Sequence, residues 1–200
     1  MPVARSDVIN FGAGPANLPE EVVEQVRDEL LNWHGCGMSV MELSHRSAYF
    51  NEIQNETLQL ARELLHIPDN YDTLLCQGGA STQFAAVPMN LFSSADATAD
   101  YLITGGWSSR ARTEASVFGN VNVVAEGKHS SGIYTNIPAP DTWKLSEHAE
   151  YFYYCDNETV FGVEAPKDYI PQTLKEQQQK RNFSRSVPIV VDVSSNFYSR

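Results

Sequence analysis

The stretch "DYLITGGWSSRARTEASVFGNVNVVAEG", residues 100–127, reads as a strand, a helix and a second strand. Its two apolar runs, 100–105 and 121–127, are continuous rather than alternating, and a helical segment at 108–119 separates them. Strands that are buried on both faces of a parallel sheet carry such continuous runs. The stretch therefore predicts an α/β fold built on a mainly parallel sheet.

The same alternation of predicted strands and helices continues on both sides of this stretch. Upstream, "TLLCQ" (73–77) predicts a strand and "ASTQFAAVPMNLF" (80–92) a helix, while "YFYYCDN" (151–157) and "PIVVDV" (188–193) predict further strands downstream. Apolar spacing with capping and breaking residues predicts two helices near the amino terminus, over 17–35 and 48–65. The polar segment 166–186 shows no core face, so we expect an exposed excursion or short surface helix there.

Composition limits the class of protein. The chain has 200 residues, 42% of them hydrophobic, and 25 acidic against 14 basic residues give a net charge of −11. This charge disfavours nucleic acid and anionic membranes, which are bound through basic patches. Neither a signal peptide nor an apolar run long enough to span a membrane is evident. Three cysteines without a CxxC spacing indicate a reducing compartment rather than a zinc site. We expect a cytosolic protein without a metal site.

Ligands of parallel α/β sheets bind beyond the carboxyl ends of the strands. In "CQGGASTQF" (76–84), two glycines allow a tight turn, and the amides around Ala80 and Ser81 open a helix that can hold a phosphate. The stretch is neither a GxGxxG nor a Walker A pattern, so a nucleotide has little specific support. A glycine-rich turn without a ligand explains it equally well.

Other polar or aromatic residues follow predicted strands or precede a helix. Trp107 can stack on a flat ring or belong to the core, and Thr159 in "NET" can bind a ligand or lie in a capped turn. Asp192 ends an apolar run, where a buried carboxylate needs a positive partner unless it caps the next turn. His45 and Arg46 suit an anionic substrate group, or a solvated helix start.

Several stretches in order carry a family resemblance: "NFGAGPANLP", "MSVMELSHRS", "LLHIPDNYDTLLCQGGASTQFAAVPMNL", "ADYLITGGWS", "YFYYCDNETVFGVE" and "VVDVSSNFYSR". Together the sequence resembles the phosphoserine aminotransferase family of pyridoxal-phosphate enzymes. The resemblance covers nearly the whole chain except 166–186. It implies the large domain of the aspartate-aminotransferase-like fold, also called pyridoxal-phosphate fold type I.

The resemblance also implies roles for individual residues. The backbone around Ala80 and Ser81 would bind the phosphate of pyridoxal 5'-phosphate, and Trp107 would stack on its ring. Thr159 would hydrogen-bond near the phenolic oxygen, and Asp192 would pair with the protonated ring nitrogen, which keeps the ring an electron sink.

The implied reaction transfers an amino group between glutamate and 3-phosphohydroxypyruvate, giving O-phosphoserine and 2-oxoglutarate in serine biosynthesis. His45 and Arg46 would bind the phosphorylated substrate near the interface of a homodimer. The family's Schiff-base lysine lies downstream of Asp192, beyond this chain. We therefore expect no catalytic residue in the chain and no activity from it alone. The alternative is a non-catalytic truncated isoform that acts as a dimerisation or interaction partner.

The resemblance divides the chain into an amino-terminal arm (1–20) and an incomplete cofactor-binding large domain (21–200), without the small carboxyl-terminal domain. The polar excursion 166–186 departs from the family. In the family, the phosphate-binding turn usually carries glycine or arginine where Ser81 and Thr82 stand. We therefore expect this turn to take a slightly different position here.

Overall fold

A computed structural model describes residues 3–199, and the chain forms two compact units, Met1–Cys76 and Gln77–Arg200. The first unit contains two α-helices, α1 (Glu20–Glu29) and α2 (Ala48–Leu64). Ser47 caps α2, because its hydroxyl accepts a hydrogen bond from the Phe50 amide at 3.2 Å. The predicted arm boundary at residue 20 stays a prediction.

The two amino-terminal helices do not bury the apolar faces that the sequence indicates. Trp33 is buried and stacks on His34, but no residue described in α1 or α2 is buried. Val22 on α1 and Leu64 on α2 are 47% and 70% exposed. Helix α2 lies where the periodicity predicts it, whereas α1 ends at Glu29 rather than at the predicted Gly35, and the predicted core faces of both helices lie uncovered within this unit.

The second unit is built on a four-stranded sheet. Its strands are β1 (Thr98–Ile103), β2 (Asn120–Glu126), β3 (Ala149–Cys155) and β6 (Ile189–Asp192), in the spatial order β2-β1-β3-β6. Every neighbouring pair in this sheet is parallel. A short antiparallel pair joins β4 (Asn157–Glu158) to β5 (Val163–Glu164). The predicted α/β class with a parallel sheet is confirmed.

Three helices of the second unit accompany this sheet: α3 (Gly79–Leu91), α4 (Gly106–Ala115) and α5 (Tyr169–Lys180). Side chains alternate along a strand, so β1, β2 and β3 each contribute to two cores, one on either face of the sheet. One core combines strand residues with α3 and α4, and contains Tyr101, Ile103, Tyr151, Tyr153, Phe84 and Ala111. The other combines alternate strand residues with α5, and contains Leu102, Phe152, Tyr154, Ile170 and Leu174.

The segment 166–186 is not the coreless excursion that its polar composition suggests. Helix α5 lies within it and buries Ile170, Thr173, Leu174 and Gln177. Just after the helix, Arg181 donates a hydrogen bond from Nη2 to the carbonyl oxygen of Trp143 at 2.6 Å. The prediction of no core face is wrong, because two of the four buried residues are polar and obscure the apolar period.

The strand predicted at 73–77 is also wrong. Within the described part of the chain these residues pair with no strand, and Leu74 and Leu75 are 77% and 62% exposed. An apolar run becomes a strand only when a neighbour supplies its hydrogen bonds. Across residues 3–199, no helix combines the length and apolar character needed to cross a membrane.

Candidate functional site

The carboxyl ends of β1, β3 and β6 meet at one edge of the parallel sheet. Strand β1 leads through Thr104 and Gly105 into α4, whose second residue is Trp107. Strand β3 leads into β4, which holds Glu158, and Thr159 begins the turn that follows, while β6 ends on Asp192. This edge is where open α/β sheets bind ligands.

Asp192 is half-buried, and the protein itself orients its carboxylate. Oδ1 accepts two hydrogen bonds from Ser194, from the amide at 3.0 Å and from the hydroxyl at 2.7 Å. Oδ2 accepts the hydroxyl of Tyr153 at 3.4 Å. A carboxylate has about four acceptor positions, so Oδ2 keeps capacity for a further donor.

The tyrosine behind Asp192 belongs to a buried row. The Tyr153 ring stacks on Tyr101 with centroids 4.7 Å apart, and the Tyr101 and Tyr151 hydroxyls hydrogen-bond at 2.8 Å. Burial, followed by the charge of Asp192, raises the pKa of Tyr153. Burial also raises the pKa of Tyr151, to about 12. Tyr153 therefore keeps its proton and remains a donor to Asp192.

Glu158 is completely buried and caps the amino terminus of α4. Its Oε2 accepts the Trp107 amide at 2.9 Å, and its Oε1 accepts the Ser108 amide at 2.9 Å and the Ser108 hydroxyl at 2.5 Å. These are donors that the first turn of a helix leaves unpaired. The negative charge also faces the positive end of the helix dipole. Glu158 thus satisfies the buried start of α4.

Gly105 makes room for this carboxylate. A Cβ there would overlap Cδ and Oε2 of Glu158 and lie 2.5 Å from its Cγ. The Gly105 amide donates to the Ser108 hydroxyl at 3.2 Å. The two-glycine turn after β1 therefore packs directly against Glu158.

The amino terminus of α3 is open, in contrast to that of α4. Among the described residues no side chain caps it, and Gly78, the residue just before the helix, has a φ of 113°, a conformation that favours glycine. Ala80 and Ser81 are exposed in its first turn. Arg110 of α4 donates from Nη2 to the Ser81 hydroxyl at 3.3 Å. Free amides and a guanidinium here favour an anion.

The opposite electrostatic character prevails at the end of β3. The pKa of the Cys155 thiol is raised by burial first, and then by the negative charges of Glu158, Asp192 and Asp156. Its thiol lies 3.4 Å from the carbonyl oxygen of Asn157 and stays protonated. The sheet edge is therefore negatively charged near Asp192, whereas the nearby amino terminus of α3 favours an anion.

The structure places the sequence-predicted residues in two groups. Trp107, Thr159 and Asp192 follow adjacent strands at the sheet edge, and α4 joins them to the α3 start that holds Ala80 and Ser81. Trp107 and Thr159 are half-buried, and Trp107 packs against the core shared with α3 and α4.

His45 and Arg46 belong to the first unit, where both are exposed in the turn before α2. The Arg46 amide donates to the Ser44 hydroxyl at 3.3 Å. Their predicted contact with a substrate stays a prediction.

The sequence marks Glu158 only as one of several polar residues after β3 that can hydrogen-bond a ligand or lie in a capped turn, and it assigns no role to Tyr153 or Arg110. The contact of Glu158 with α4 spans some fifty positions, so no local pattern predicts it. Arg110 had a usable signal, since it lies three residues after Trp107 and so on the same side of a helix. Tyr153 had one too, because it precedes the strand end by two residues.

Comparison with known proteins agrees with this architecture. Residues 8–198 match the family described as aminotransferase class-V. A curated phosphoserine aminotransferase of Drosophila melanogaster is 49% identical over 96% of this chain and 49% of its own length. The corresponding enzyme of Nitrosomonas europaea is 47% identical over 96% of this chain and 50% of its own length.

Solved structures are similar as well. A phosphoserine aminotransferase from Trichomonas vaginalis, described as bound to pyridoxal phosphate, superposes with a TM-score of 0.78 at 41% identity, over 96% of this chain and 52% of that one. The enzyme from Bacillus circulans subsp. alkalophilus gives a TM-score of 0.78 at 37% identity, over 96% and 48% of the two chains.

These matches define the class of protein: the chain belongs to the class-V aminotransferase family. Within that family its similar relatives are phosphoserine aminotransferases. The chain spans about half the length of the curated relatives it matches.

Proposed function

We propose that the sheet edge of the second unit binds pyridoxal 5'-phosphate, and that the whole protein is a phosphoserine transaminase. One observation carries the proposal. A carboxylate with spare acceptor capacity, Asp192, shares this edge with the open amino terminus of α3. The cofactor has matching charges, a protonated ring nitrogen and a phosphate.

The residues present fit such a group. The amides around Ala80 and Ser81 would hold its phosphate, with Arg110 adding positive charge. Asp192 would pair with the ring nitrogen, because Ser194 and Tyr153 already fix its two oxygens. When bound, pyridoxal phosphate supplies an electron sink for the carbanion formed at the substrate's α-carbon.

Two further residues would set the place of the ring. The side chain of Trp107 would stack on one face and keep water away from it. The hydroxyl of Thr159 would hydrogen-bond near the phenolic oxygen. Both residues follow strands of the same sheet, so the backbone positions them before any ligand arrives.

We propose that neither lysine of α5 bonds covalently to the cofactor. Lys175 and Lys180 lie on α5, which packs on the sheet face opposite to α3 and α4. Asp192 lies two residues after Val190, which packs with the α3 and α4 core, so its side chain is on that face. These lysines are therefore on the wrong side of the sheet to bond to the ring.

For the whole protein we propose a reversible transfer of the amino group between glutamate and 3-phosphohydroxypyruvate, which gives O-phosphoserine and 2-oxoglutarate in serine biosynthesis and can be assayed in the reverse direction. The guanidinium of Arg46, beside His45, would grip the substrate phosphate with paired hydrogen bonds. A homodimer in the cytoplasm fits two features of the chain. Large apolar residues such as Ile9, Phe11 and Leu31 are 83%, 93% and 84% exposed, and all three cysteines are free.

Two assays test these proposals separately. In equilibrium dialysis we expect the chain to bind pyridoxal phosphate, and Asp192→Asn to weaken binding about tenfold or more, because a neutral amide gives up the charge pairing. In the whole protein we expect glutamate to form from O-phosphoserine and 2-oxoglutarate, with serine a poor substitute for phosphoserine. Equal use of serine would contradict the assigned substrate, and equal cofactor binding by Asp192→Asn would contradict the site.

A further inference from the structure

Glu158 is a buried charged group that the proposed chemistry does not use. Its side chain is 0% exposed, and burying an unpaired carboxylate is unfavourable by several kcal/mol. A buried carboxylate that touches no proposed ligand therefore needs another explanation. Its three hydrogen bonds all go to the first turn of α4.

The two carboxylate oxygens of Glu158 accept hydrogen bonds from different residues. Oε1 accepts two bonds from Ser108, while Oε2 accepts one bond, from the Trp107 amide. The Trp107 main chain is thus tied to the turn after β3, across 51 positions of sequence. Thr159 is the next residue in that turn, so a single carboxylate links the main chains that carry the two predicted ring contacts.

The carboxylate is closely held. Gly105 lies so near that even a Cβ there would overlap it. The main chain of Glu158 is held as well, because it lies in β4 and pairs with Val163 of β5. A charged group that is held this tightly fixes its partners with small tolerance.

We propose that Glu158 is a positioning residue of the cofactor site, an inference that rests on the proposed function. Its buried carboxylate fixes the main chain of Trp107 and thereby the position of the tryptophan ring. The same carboxylate occupies the α4 amides. An anion at this sheet edge therefore finds the open helix start at α3 rather than the one at α4.

Glu158→Gln isolates the bond to Trp107. The glutamine oxygen keeps two bonds if it faces Ser108 and only one if it faces Trp107, so it takes the Ser108 side. Its amide NH₂ then opposes the Trp107 N–H, donor against donor. The matched control is Glu147→Gln, the same chemical change at an exposed position.

The ring itself gives the readout. Incorporation of 5-fluorotryptophan gives one ¹⁹F resonance each for Trp33, Trp107 and Trp143, and Trp107→Phe assigns the one of interest. We expect Glu158→Gln to shift the Trp107 resonance in the cofactor-free protein, leave the other two within their linewidths, and weaken pyridoxal phosphate binding about tenfold. Glu147→Gln should change neither quantity. A merely structural role would lower the melting temperature and leave the Trp107 resonance in place.

An unmoved Trp107 resonance in folded Glu158→Gln, or cofactor affinity equal to that of Glu147→Gln, would overturn the inference. A shifted resonance in a protein that binds no pyridoxal phosphate even as wild type would support the link between Glu158 and Trp107 and refute the proposed function alone. If Glu158→Gln fails to fold, Ser108→Ala replaces it, because it removes the 2.5 Å hydroxyl bond to Glu158 but keeps the carboxylate, although the Thr104 and Gly105 amides also lose that hydroxyl as their acceptor. A smaller shift confined to Trp107 is then expected, and an unmoved resonance counts against the inference.

Discussion

Replacing Gly105 with alanine perturbs the buried carboxylate through space alone. The new Cβ would overlap Cδ and Oε2 of Glu158 and lie 2.5 Å from Cγ, whereas non-bonded carbon atoms prefer about 3.5–4.0 Å. The backbone of Gly105 is extended, with a φ of −177°, so alanine adopts it without strain. The whole effect of the substitution therefore comes from displacing Glu158.

The magnitude follows from the hydrogen bonds that Glu158 loses when it moves. Each bond to a charged group contributes about 1.5–3 kcal/mol, and disrupting a buried charged network costs about 3–5 kcal/mol. Alanine returns about 0.4–1 kcal/mol by reducing the entropy of the unfolded chain. We expect Gly105→Ala to lower the free energy of unfolding by about 3–4 kcal/mol.

Urea unfolding at pH 7, followed by far-ultraviolet circular dichroism, measures this loss. With an m-value of about 2 kcal/mol/M, the midpoint should fall by about 1.5–2 M. Gly106→Ala is the control, since its Cβ would meet Phe161 at an ordinary 3.6 Å. Its midpoint should stay or rise slightly.

A double-mutant cycle completes the test. In a Glu158→Ala background the obstructing carboxylate is gone, and Gly105→Ala should cost less than about 1 kcal/mol. A Gly105→Ala midpoint equal to that of Gly106→Ala would refute the reasoning. So would a full loss that persists after Glu158 is removed.

Three further substitutions address other parts of the second unit. Burial raises the pKa of Asp100 to about 6 despite hydrogen bonds from Asn122 and Ser146. The folded state therefore binds the extra proton, and stability should fall by about 3 kcal/mol as the pH rises from about 4 to 6.5. Asp100→Asn should remove that slope in urea midpoints measured across the window, and an unchanged slope would contradict the assignment. Ser194→Ala removes one hydrogen bond to Asp192, the 2.7 Å bond from the Ser194 hydroxyl, and should weaken pyridoxal phosphate binding about threefold to tenfold in equilibrium dialysis. Unchanged affinity would show that the hydroxyl does not orient the carboxylate. Arg110→Met should weaken binding several-fold at low salt and much less at 1 M salt, because an exposed charge is screened; a loss independent of salt would exclude a simple charge effect.

The strands that carry the site could be predicted from the sequence. Continuous apolar runs mark buried parallel strands, and such strands align their carboxyl ends. Trp107 and Asp192 could therefore be placed at one edge without knowing any contact. The glycine pair before Ala80 likewise marks a tight turn into a helix.

The contacts that hold the site could not be predicted in this way. Glu158 looks like a solvated turn residue, and its burial depends on Gly105 and α4, which are distant in sequence. Gln177 on α5 is buried although it is polar, because its side-chain oxygen accepts a hydrogen bond from Arg181 at 2.5 Å. Periodicity counts apolar residues and cannot register a satisfied buried polar group.

The protonation state of the bound cofactor tests the central claim most directly. Pyridoxal phosphate labelled with ¹⁵N at the ring nitrogen reports by NMR whether that atom carries a proton. Bound to the wild-type protein, it should give a pyridinium signal at neutral pH, because Asp192 stabilises the charge. Bound to Asp192→Asn, the signal should move toward that of neutral pyridine. A neutral ring nitrogen in the wild-type complex, or the same pyridinium signal in both proteins, would contradict the assignment of this sheet edge as the cofactor site.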